Sequence, residues 1–308
     1  MKAYVGVTDF GWFDVLRNIP QLEEVNFWQP GGHQSFKALE PNELFLFKLH
    51  YPTNKIVGGG FFACSTLLPI SFAWESFGEK NGVKSLQEMR ERVGKLRHKP
   101  PNLAEDYKIG CILLEQPFFL PENQWITVPD WSPSIVQGKG YDLEVEPGRS
   151  IFNQLHMNTL INSVYENVSG VHEDQARYGQ PTPVLPRLGQ GSFRILVTDA
   201  YGRRCAVTQE KTLPALEAAH IKPYSDSGRH EVSNGILLRR DLHALFDQGY
   251  VTITPSMKFE VSKKIKEEFE NGRDYYRMQG AQLWLPPNPA YRPSVESIKW
   301  HNDNKYLG

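Results

Sequence analysis

One stretch decides the fold of the C-terminal part. Residues Arg203 to Pro255 read RRCAVTQEKTLPALEAAHIKPYSDSGRHEVSNGILLRRDLHALFDQGYVTITP. Asn234 lies 14 residues after His220 and 9 residues before His243. The apolar run that ends at His220 predicts a strand, and the Asn-Gly pair predicts a turn. The segment after the pair predicts a short helix that carries His243. The stretch therefore predicts a strand, a turn and a helix with a polar residue on each.

These residues stand in the order typical of a known family. The stretch resembles the HNH endonucleases of the ββα-metal fold, in the subgroup with the pattern AAHI, NG, LH and FD. The flanking segments GQGSFR, AYGRRCAVT and IKWHNDNKYLG are similar to the same subgroup, so the resemblance covers about the last 120 residues. It implies that His220 is the general base, that Asn234 pins the loop beside the base, and that His243 binds a metal. The implied cofactor is a single Mg²⁺ or Mn²⁺ ion, with Ni²⁺ or Zn²⁺ as alternatives.

The chemistry of phosphodiester hydrolysis explains why these residue types occur together. A base must activate water, and positive charge must stabilise the phosphate and the leaving oxygen. Many relatives carry Asp or His immediately before the base as a second metal ligand, whereas this chain has Ala219. Either Asp247, one helical turn after His243, or Glu217, on the strand, could replace that ligand. We favour Asp247.

Other side chains of this half are candidates for weaker roles. The arginines that could contact DNA phosphates are Arg194, Arg203, Arg204, Arg239 and Arg240. His230 lies in a polar loop, so we expect it to be solvated or to contact phosphate rather than to act in catalysis. Cys205 resembles the first cysteine of relatives that hold structural zinc, but it has no partner cysteine nearby. We expect Cys205 to be buried.

The composition of the chain is that of a globular protein of about two domains. Its 308 residues are 40% hydrophobic and 22% charged, with a net charge of −1. The most apolar run, Leu44 to Leu49, is far shorter than the ~20 residues that span a bilayer. We therefore expect no membrane partner and a cytoplasmic location. Three cysteines without a C-x-x-C pair predict neither a disulfide framework nor a cysteine zinc site.

The N-terminal part predicts a small mixed or closed sheet. Up to about residue 143, short apolar runs alternate with Gly and Pro, and residues 58–60 form a Gly-Gly-Gly run that indicates a bend. The segment QGKGYDL, residues 137–143, reads as a loop. The capping box Ser85-Leu86-Gln87-Glu88 predicts the start of a helix. The order of a first strand ending near a Trp, an aromatic turn in EVNFWQP, then PNELFLFK and KIVGGGFF, resembles the PUA-like superfamily, nearest its EVE branch.

That resemblance implies a domain that binds modified bases. Such domains stack a flipped nucleobase against aromatic side chains and read its polar edge. The candidate walls are Trp28, Trp12 and Trp74, and the candidate edge readers are Asp14, Gln29 and Ser71. We favour Trp28 because it begins a Pro- and Gly-rich turn, where a side chain can face a cavity without belonging to the core.

The predicted architecture is α+β with three parts. A PUA-like, EVE-type small β-barrel with helices occupies residues 1–145 and recognises modified bases. A helical and Pro-rich linker occupies residues 146–188, because apolar residues recur at helical spacing over 151–168 and three prolines follow within 179–186. The ββα-metal HNH nuclease domain occupies residues 189–308.

The two resemblances together imply a restriction function. We expect a modification-dependent, type IV-like restriction endonuclease that cuts double-stranded DNA containing 5-methyl- or 5-hydroxymethylcytosine, in the manner of EVE–HNH enzymes. One alternative keeps the nuclease and directs it to another mark, such as a phosphorothioate backbone, or to unmodified sequence. Another is a catalytically inactive DNA-binding module, since Ala219 removes a usual ligand. One HNH site cuts one strand, so a homodimer could serve double-strand cleavage.

Overall fold

The chain forms two compact units, Met1–Pro186 and Arg187–Gly308. The computed structural model describes residues 2–32, 36–97, 105–155, 189–226 and 228–308. Both units contain helices and strands, which confirms the predicted α+β class. None of the helices in these described ranges is long and apolar enough to cross a membrane.

The first unit is built on one mixed sheet. Its described strands are β1 Lys2–Thr8, β2 Glu24–Gln29, β3 Leu44–Leu49, β4 Lys55–Pro69, β5 Lys108–Phe119, β6 Ile126–Thr127 and β7 Gly138–Asp142. Its described helices are α1 Phe10–Arg17, α2 Ile70–Phe77, α3 Leu86–Leu96 and α4, residues 148–155. The strand order is β2-β5-β4-β3-β1-β7, with β6 paired to β4. Only β1 and β3 pair in parallel among these neighbours.

Strand β3 shows how this sheet is buried on both faces. Phe45 and Phe47 pack with Trp12 in one apolar cluster, whereas Leu44 and Leu46 belong to a second cluster. Alternate residues of a strand point to opposite faces, so each face of β3 contributes to a different core. The register of β4 shifts once in its pairing with β3 and twice in its pairing with β5, and such irregularities bend a sheet. The bend indicated by the Gly-Gly-Gly run is therefore present.

Two strands differ from the sequence prediction. Residues 137–143 read as a glycine-rich loop, but 138–142 form β7, which pairs with β1 at the edge of the sheet. A Cβ at Gly138 would lie 2.5 Å from the Val5 carbonyl oxygen, so glycine is what permits this close approach. The segment EVNFWQ reads as an aromatic turn, but it forms β2 and pairs with β5.

The predicted linker is described only at its start. Helix α4 places Ile151 and Leu155 in the same apolar cluster as Ala3 and Val5 of β1, so its described part packs on the first unit. The remainder of the predicted helix, and the Pro-rich segment 179–186, lie outside the described residues.

A buried pair of carboxylates lies across β2 and β5. Glu24 and Glu115 are directly opposite each other and are 0% and 1% exposed. Lys80 Nζ lies 2.9 Å from Glu24 Oε1, whereas neither oxygen of Glu115 has a hydrogen-bond partner among the described residues. Burial, and then the charge of Glu24, raise the pKa of Glu115 to about 8. Glu115 is therefore protonated at neutral pH.

We expect Glu115→Gln to raise the melting temperature of the first unit by several degrees above about pH 8. A carboxyl group whose pKa rises from 4.5 to about 8 on folding contributes stability below pH 4.5 and loses it as the pH rises through the folded-state pKa. Glutamine stays neutral throughout, so the difference should vanish below pH 4.5. Calorimetric melting of the wild type and Glu115→Gln across this pH range measures the difference in melting temperature. A difference that does not change with pH would contradict the raised pKa of Glu115.

The second unit contains the predicted hairpin and helix. Its described helices and strands are α5 Gln190–Ala200, β8 Leu216–His220, β9 Gly235–Arg239, α6 Arg240–Asp247, β10 Val251–Ile253, β11 Phe259–Val261, α7 Lys264–Phe269, α8 Arg273–Tyr276 and α9 Val295–Asn304. Strands β8 and β9 pair antiparallel, with His220 opposite Gly235, and α6 follows β9 directly. This is the ββα order that the resemblance implies.

Helix α5 packs across this hairpin. Phe193 and Val197 belong to one apolar core with residues of β8, β9 and α6. A Cβ at Gly235 would lie 2.4 Å from Val197 Cγ2 and 2.9 Å from Phe193 Cζ, so a larger residue there would push α5 away from the hairpin. Glycine after Asn234 thus brings α5 close to the end of β8.

Candidate active site

A cavity of about 490 Å³ in the second unit brings the predicted residues together. It is lined by residues of α5, β8, α6, α9 and the adjoining loops: Gln190, Phe193, Arg194, Glu217, Ala218, His220, Ile221, Pro223, His243, Asp247, His301 and Lys305. His220, His243 and Asp247, which are separated by up to 27 residues (247 minus 220), therefore share one space.

His220 is held at the end of β8 by two aromatic neighbours. Its ring stacks on Phe193, with centroids 3.8 Å apart and planes within 9° of parallel. Its Nε2 lies 2.9 Å from Nδ1 of His230, so one of the two rings donates a hydrogen bond to the other. Burial lowers the pKa of His220 to about 4, and the neighbouring His230 and His243 add to this effect while Asp247 opposes it. His220 is therefore neutral at physiological pH, as a general base must be.

Asn234 ties together the loop that follows β8. Its Nδ2 donates to the carbonyl oxygens of Lys222, at 2.9 Å, and Arg229, at 3.0 Å. Its Oδ1 accepts from the Lys222 N–H at 3.0 Å, and its backbone oxygen accepts from the Ile221 N–H at 2.9 Å. The buried carboxamide thus holds the start of the loop, at Lys222, to its middle, at Arg229, and Asn234 is not among the residues that line the cavity.

We expect Asn234→Ala to lower both the melting temperature and the activity. The change removes three hydrogen bonds, each worth about 1 kcal/mol, and leaves backbone groups of Lys222 and Arg229 without their partner. Asn304→Ala, which removes one exposed hydrogen bond to the Trp300 carbonyl, is the matched control. Thermal melting and a cleavage assay measure both effects. Lost activity with an unchanged melting temperature would mean that Asn234 acts directly in the reaction.

His243 is held on α6 between two carboxylates. Its Nδ1 lies 2.9 Å from Glu217 Oε2, and its Nε2 lies 3.2 Å from Asp247 Oδ2. The other oxygen of Glu217 lies 3.1 Å from Nε of Arg240. Burial by itself lowers the pKa of His243, but the hydrogen bonds to Asp247 and Glu217 outweigh burial and raise the pKa above its ordinary value.

This arrangement fits a metal site with two protein ligands. Within the described ranges, no three His, Cys, Asp or Glu side chains could hold one metal ion together. However, His243 Nε2 and Asp247 Oδ2 are 3.2 Å apart on the cavity wall, close to the roughly 3 Å between adjacent ligands that each bind a cation at about 2.1 Å. Mg²⁺ is often held by only one or two carboxylates, with water and phosphate completing its coordination.

Glu217 has a different position from Asp247. It contacts Nδ1 of His243, the nitrogen that points away from Asp247. A metal-binding histidine commonly donates its second ring N–H to a carboxylate, which fixes the orientation of the ring. Ala219 is fully buried in the apolar core, so the position of the usual second ligand does not reach the cavity. Cys205 is a free cysteine buried in the same core, as expected.

The five candidate arginines are dispersed over the unit. Arg194, on α5, lines the cavity. The other four contact neighbouring side chains: Arg203 with Asp199, Arg204 with the ring of Trp284, Arg239 with Asp241, and Arg240 with Glu217. Arg194 is thus the candidate phosphate-binding arginine that lines the same cavity as His220. Phosphate contacts by the other four arginines remain predictions.

The sequence pattern indicates no part in the site for Phe193 and His301, and for His230 it indicates only solvent or phosphate contact. In the structure Phe193 stacks on His220, and His230 contacts His220. His301 is buried and stacks on Phe246, and its Nε2 donates to the Phe246 carbonyl at 3.0 Å. Phe193 and His301 lie in the flanking segments GQGSFR and IKWHNDNKYLG, so the similarity of those flanks is the signal that could have found them.

The three tryptophans of the first unit occupy different environments. Trp12 is 2% exposed and packs edge-on against Phe27 and Phe47 in the core. Trp28 is 9% exposed, and its indole N–H donates to the Asn81 carbonyl at 2.9 Å. The turn predicted at Trp28 is wrong, because Trp28 belongs to β2 and is packed into the unit. Trp74, on α2, is half-buried.

The candidate edge readers also make contacts of their own. Asp14 pairs with Arg17 at 2.7 Å, and the Ser71 hydroxyl donates to Asp106 at 2.6 Å. Gln29 is the last residue of β2 and is half-buried. These contacts neither assign nor exclude a part in base recognition, which remains a prediction for all three.

Comparison with known proteins gives a family match for one segment of the second unit. Residues 205–254 match a family described as HNH endonuclease, whereas curated proteins give no match.

The chain is similar in structure to ASCH from Zymomonas mobilis, with 12% identity, a TM-score of 0.32, and coverage of 46% of this chain and 89% of that chain. It is also similar to the modification-dependent TagI restriction endonuclease, with 12% identity, a TM-score of 0.31, and coverage of 99% and 81%. At these TM-scores neither similarity carries a functional conclusion. The segment that matches the HNH endonuclease family lies in the second unit and contains His220, Asn234 and His243.

Proposed function

We propose that this protein is a metal-dependent DNA endonuclease that hydrolyses phosphodiester bonds at the His220 cavity. The convergence of His220, His243 and Asp247 on one cavity, within the segment that matches HNH endonucleases, carries the proposal. A neutral imidazole and a pair of metal-binding side chains are the two components that this hydrolysis requires.

His220 would act as the general base. In its neutral form it takes a proton from water, whose oxygen then forms a bond to phosphorus as the bond to the leaving oxygen breaks. A divalent cation held by His243 and Asp247 would supply positive charge beside the phosphate and the leaving oxygen. Asn234 keeps the loop after His220 in place, and Arg194 lies on the cavity wall where it can contact a phosphate.

We further propose that the first unit selects the DNA by binding a modified cytosine. Its support is the PUA-like, EVE-type resemblance of the sequence and the presence of a compact unit separate from the one that carries the HNH segment. Of the three tryptophans, Trp74 retains the exposed surface that stacking on a base needs, whereas Trp12 and Trp28 serve the packing of the unit. Trp74 is therefore the first candidate wall.

Digestion of one plasmid prepared from different hosts tests the choice of substrate. We expect the full chain to cut plasmid that carries 5-methyl- or 5-hydroxymethylcytosine and to spare the unmodified plasmid. Equal cutting of both would assign the protein to unmodified sequence, and cutting only of a phosphorothioate plasmid would assign it to that mark. Binding without cutting in every case would indicate an inactive DNA-binding module.

Trp74→Ala in the full chain tests the proposed reader. We expect it to remove the preference for modified over unmodified duplex, since stacking contributes roughly 1–3 kcal/mol per base. Nonspecific affinity comes from phosphate contacts, so it should survive and still weaken steeply with salt. Trp28→Phe, which keeps an aromatic ring in the packed position, is the control. An unchanged preference in Trp74→Ala would remove Trp74 from the proposed site.

A further inference from the structure

We infer that His230 is a positioning residue that sets which ring nitrogen of His220 faces the reacting water. The inference rests on the proposed function, because it assigns a partner to the proposed base. The sequence gives His230 no part in catalysis, and the family pattern of His220, Asn234 and His243 does not include it.

Three rings form a compact group at the end of β8. Phe193 covers one face of His220 with its centroid 3.8 Å away, and His230 meets His220 at 4.9 Å with planes 70° apart. Phe193 also contacts His230 edge to face at 5.9 Å. Stacking fixes the plane of the His220 ring but cannot distinguish its two nitrogens. The contact of 2.9 Å between Nε2 of His220 and Nδ1 of His230 involves only one nitrogen of the His220 ring, so it can distinguish the two.

The remaining nitrogen of His220 is available to the cavity. Among the described residues, Nδ1 of His220 makes no hydrogen bond, and the side chain lines the cavity. A neutral imidazole has one N–H and one lone pair. For the lone pair to be on Nδ1, the proton must be on Nε2, where it is donated to Nδ1 of His230. His230 must then carry its own proton on Nε2.

The hydrogen bond between His220 and His230 can be kept when His220 becomes protonated during the reaction. When Nδ1 of His220 takes the proton of the attacking water, the new O–P bond forms, the P–O bond to the leaving group breaks, and the leaving oxygen receives a proton from solvent. The His220 ring is then a cation with an N–H on both nitrogens. Nδ1 of His230 continues to accept from Nε2, so the hydrogen bond persists from the neutral to the charged ring.

The first test compares cleavage by three variants of the full chain. His230→Ala should lower kcat by roughly tenfold, the value of one lost orienting hydrogen bond, with KM little changed. His230→Asn should restore most of the rate, because its side-chain oxygen can accept near the position of Nδ1. His50→Ala, which removes an exposed histidine that does not line the cavity, is the control and should keep the wild-type rate.

The second test uses the dependence of the rate on pH. His230→Asp places a carboxylate against Nε2 of His220 and should move the acid limb of the profile to higher pH, because a negative partner favours the charged ring. The other groups that face His220 electrostatically, His243 and Asp247 on α6, are the same in all variants. An acid limb that stays in place in His230→Asp would mean that residue 230 does not contact Nε2 of His220 in the reacting state.

The third test needs no cleavage. The ¹⁵N chemical shifts of the His220 ring in the full chain report its tautomer, and we expect the proton on Nε2 in the wild type and a mixture of both forms in His230→Ala. A wild-type proton on Nδ1, or equal rates and acid limbs in His230→Ala, His230→Asp and the wild type, would overturn the inference. If the expected tautomer is found and the wild type does not cleave DNA either, the proposed function fails and the positioning contact stands.

Discussion

His220→Ala is expected to lower the rate of DNA cleavage by roughly 10²–10⁴-fold, the usual contribution of a general base, while DNA binding is nearly unchanged. The reason is that His220 contributes a neutral ring nitrogen to the cavity, whereas affinity comes from contacts with phosphates elsewhere. Single-turnover nicking of a supercoiled plasmid measures the rate, and a gel-shift titration at fixed salt measures binding.

The control for this prediction is His50→Ala, which removes an exposed histidine from the first unit. It should cleave at the wild-type rate. Because Phe193 stacks on His220, the melting temperature of His220→Ala must also be measured, so that lost activity is not confused with unfolding. Cleavage at the wild-type rate by a folded His220→Ala protein would refute its role as the base.

The second large effect concerns the cation. His243→Ala and Asp247→Asn are each expected to abolish the binding of Mn²⁺ and to reduce cleavage to background, since these two side chains lie 3.2 Å apart on the cavity wall and would hold the ion together. Glu217→Gln should weaken metal affinity or activity by about 10–100-fold, the usual cost of losing a residue that orients a ligand. Calorimetric titration with Mn²⁺ measures all three.

Asp303→Asn, an exposed change on α9, is the control for the loss of one carboxylate and should bind Mn²⁺ as the wild type does. The comparison of Asp247→Asn with Glu217→Gln decides between the two ligands left open by Ala219. Normal binding by Asp247→Asn together with abolished binding by Glu217→Gln would make the strand carboxylate the ligand and reverse our assignment.

Much of the second unit could be predicted because its signals are local. His220, Asn234 and His243 are each followed or preceded by short segments whose pattern indicates a strand, a turn and a helix. The structure forms these elements as β8, the turn before β9, and α6. The start of α3 is another local signal, since Ser85 Oγ accepts from the Glu88 N–H as the capping box predicts.

The features that could not be predicted depend on contacts between distant segments. Nothing near Gly138 indicates a strand, because β7 forms only where the backbone of β1 provides a partner. The contact between Nε2 of His220 and Nδ1 of His230 depends on how the loop closed by Asn234 folds back. The turn residues after Trp28 favour an exposed side chain, but Trp28 is buried and its indole N–H donates to the carbonyl of Asn81, 53 residues away.

The measurement that tests the central claim most directly is digestion of a modified plasmid by the 308-residue chain in Mg²⁺, in Mn²⁺ and in EDTA, with His220→Ala run beside the wild type. We expect nicking by the wild type with either ion, none in EDTA, and nicking by His220→Ala that is at least about 10²-fold slower than that of the wild type with either ion. Cleavage by the wild type that persists in EDTA, or equal cleavage by His220→Ala, would contradict the proposed function.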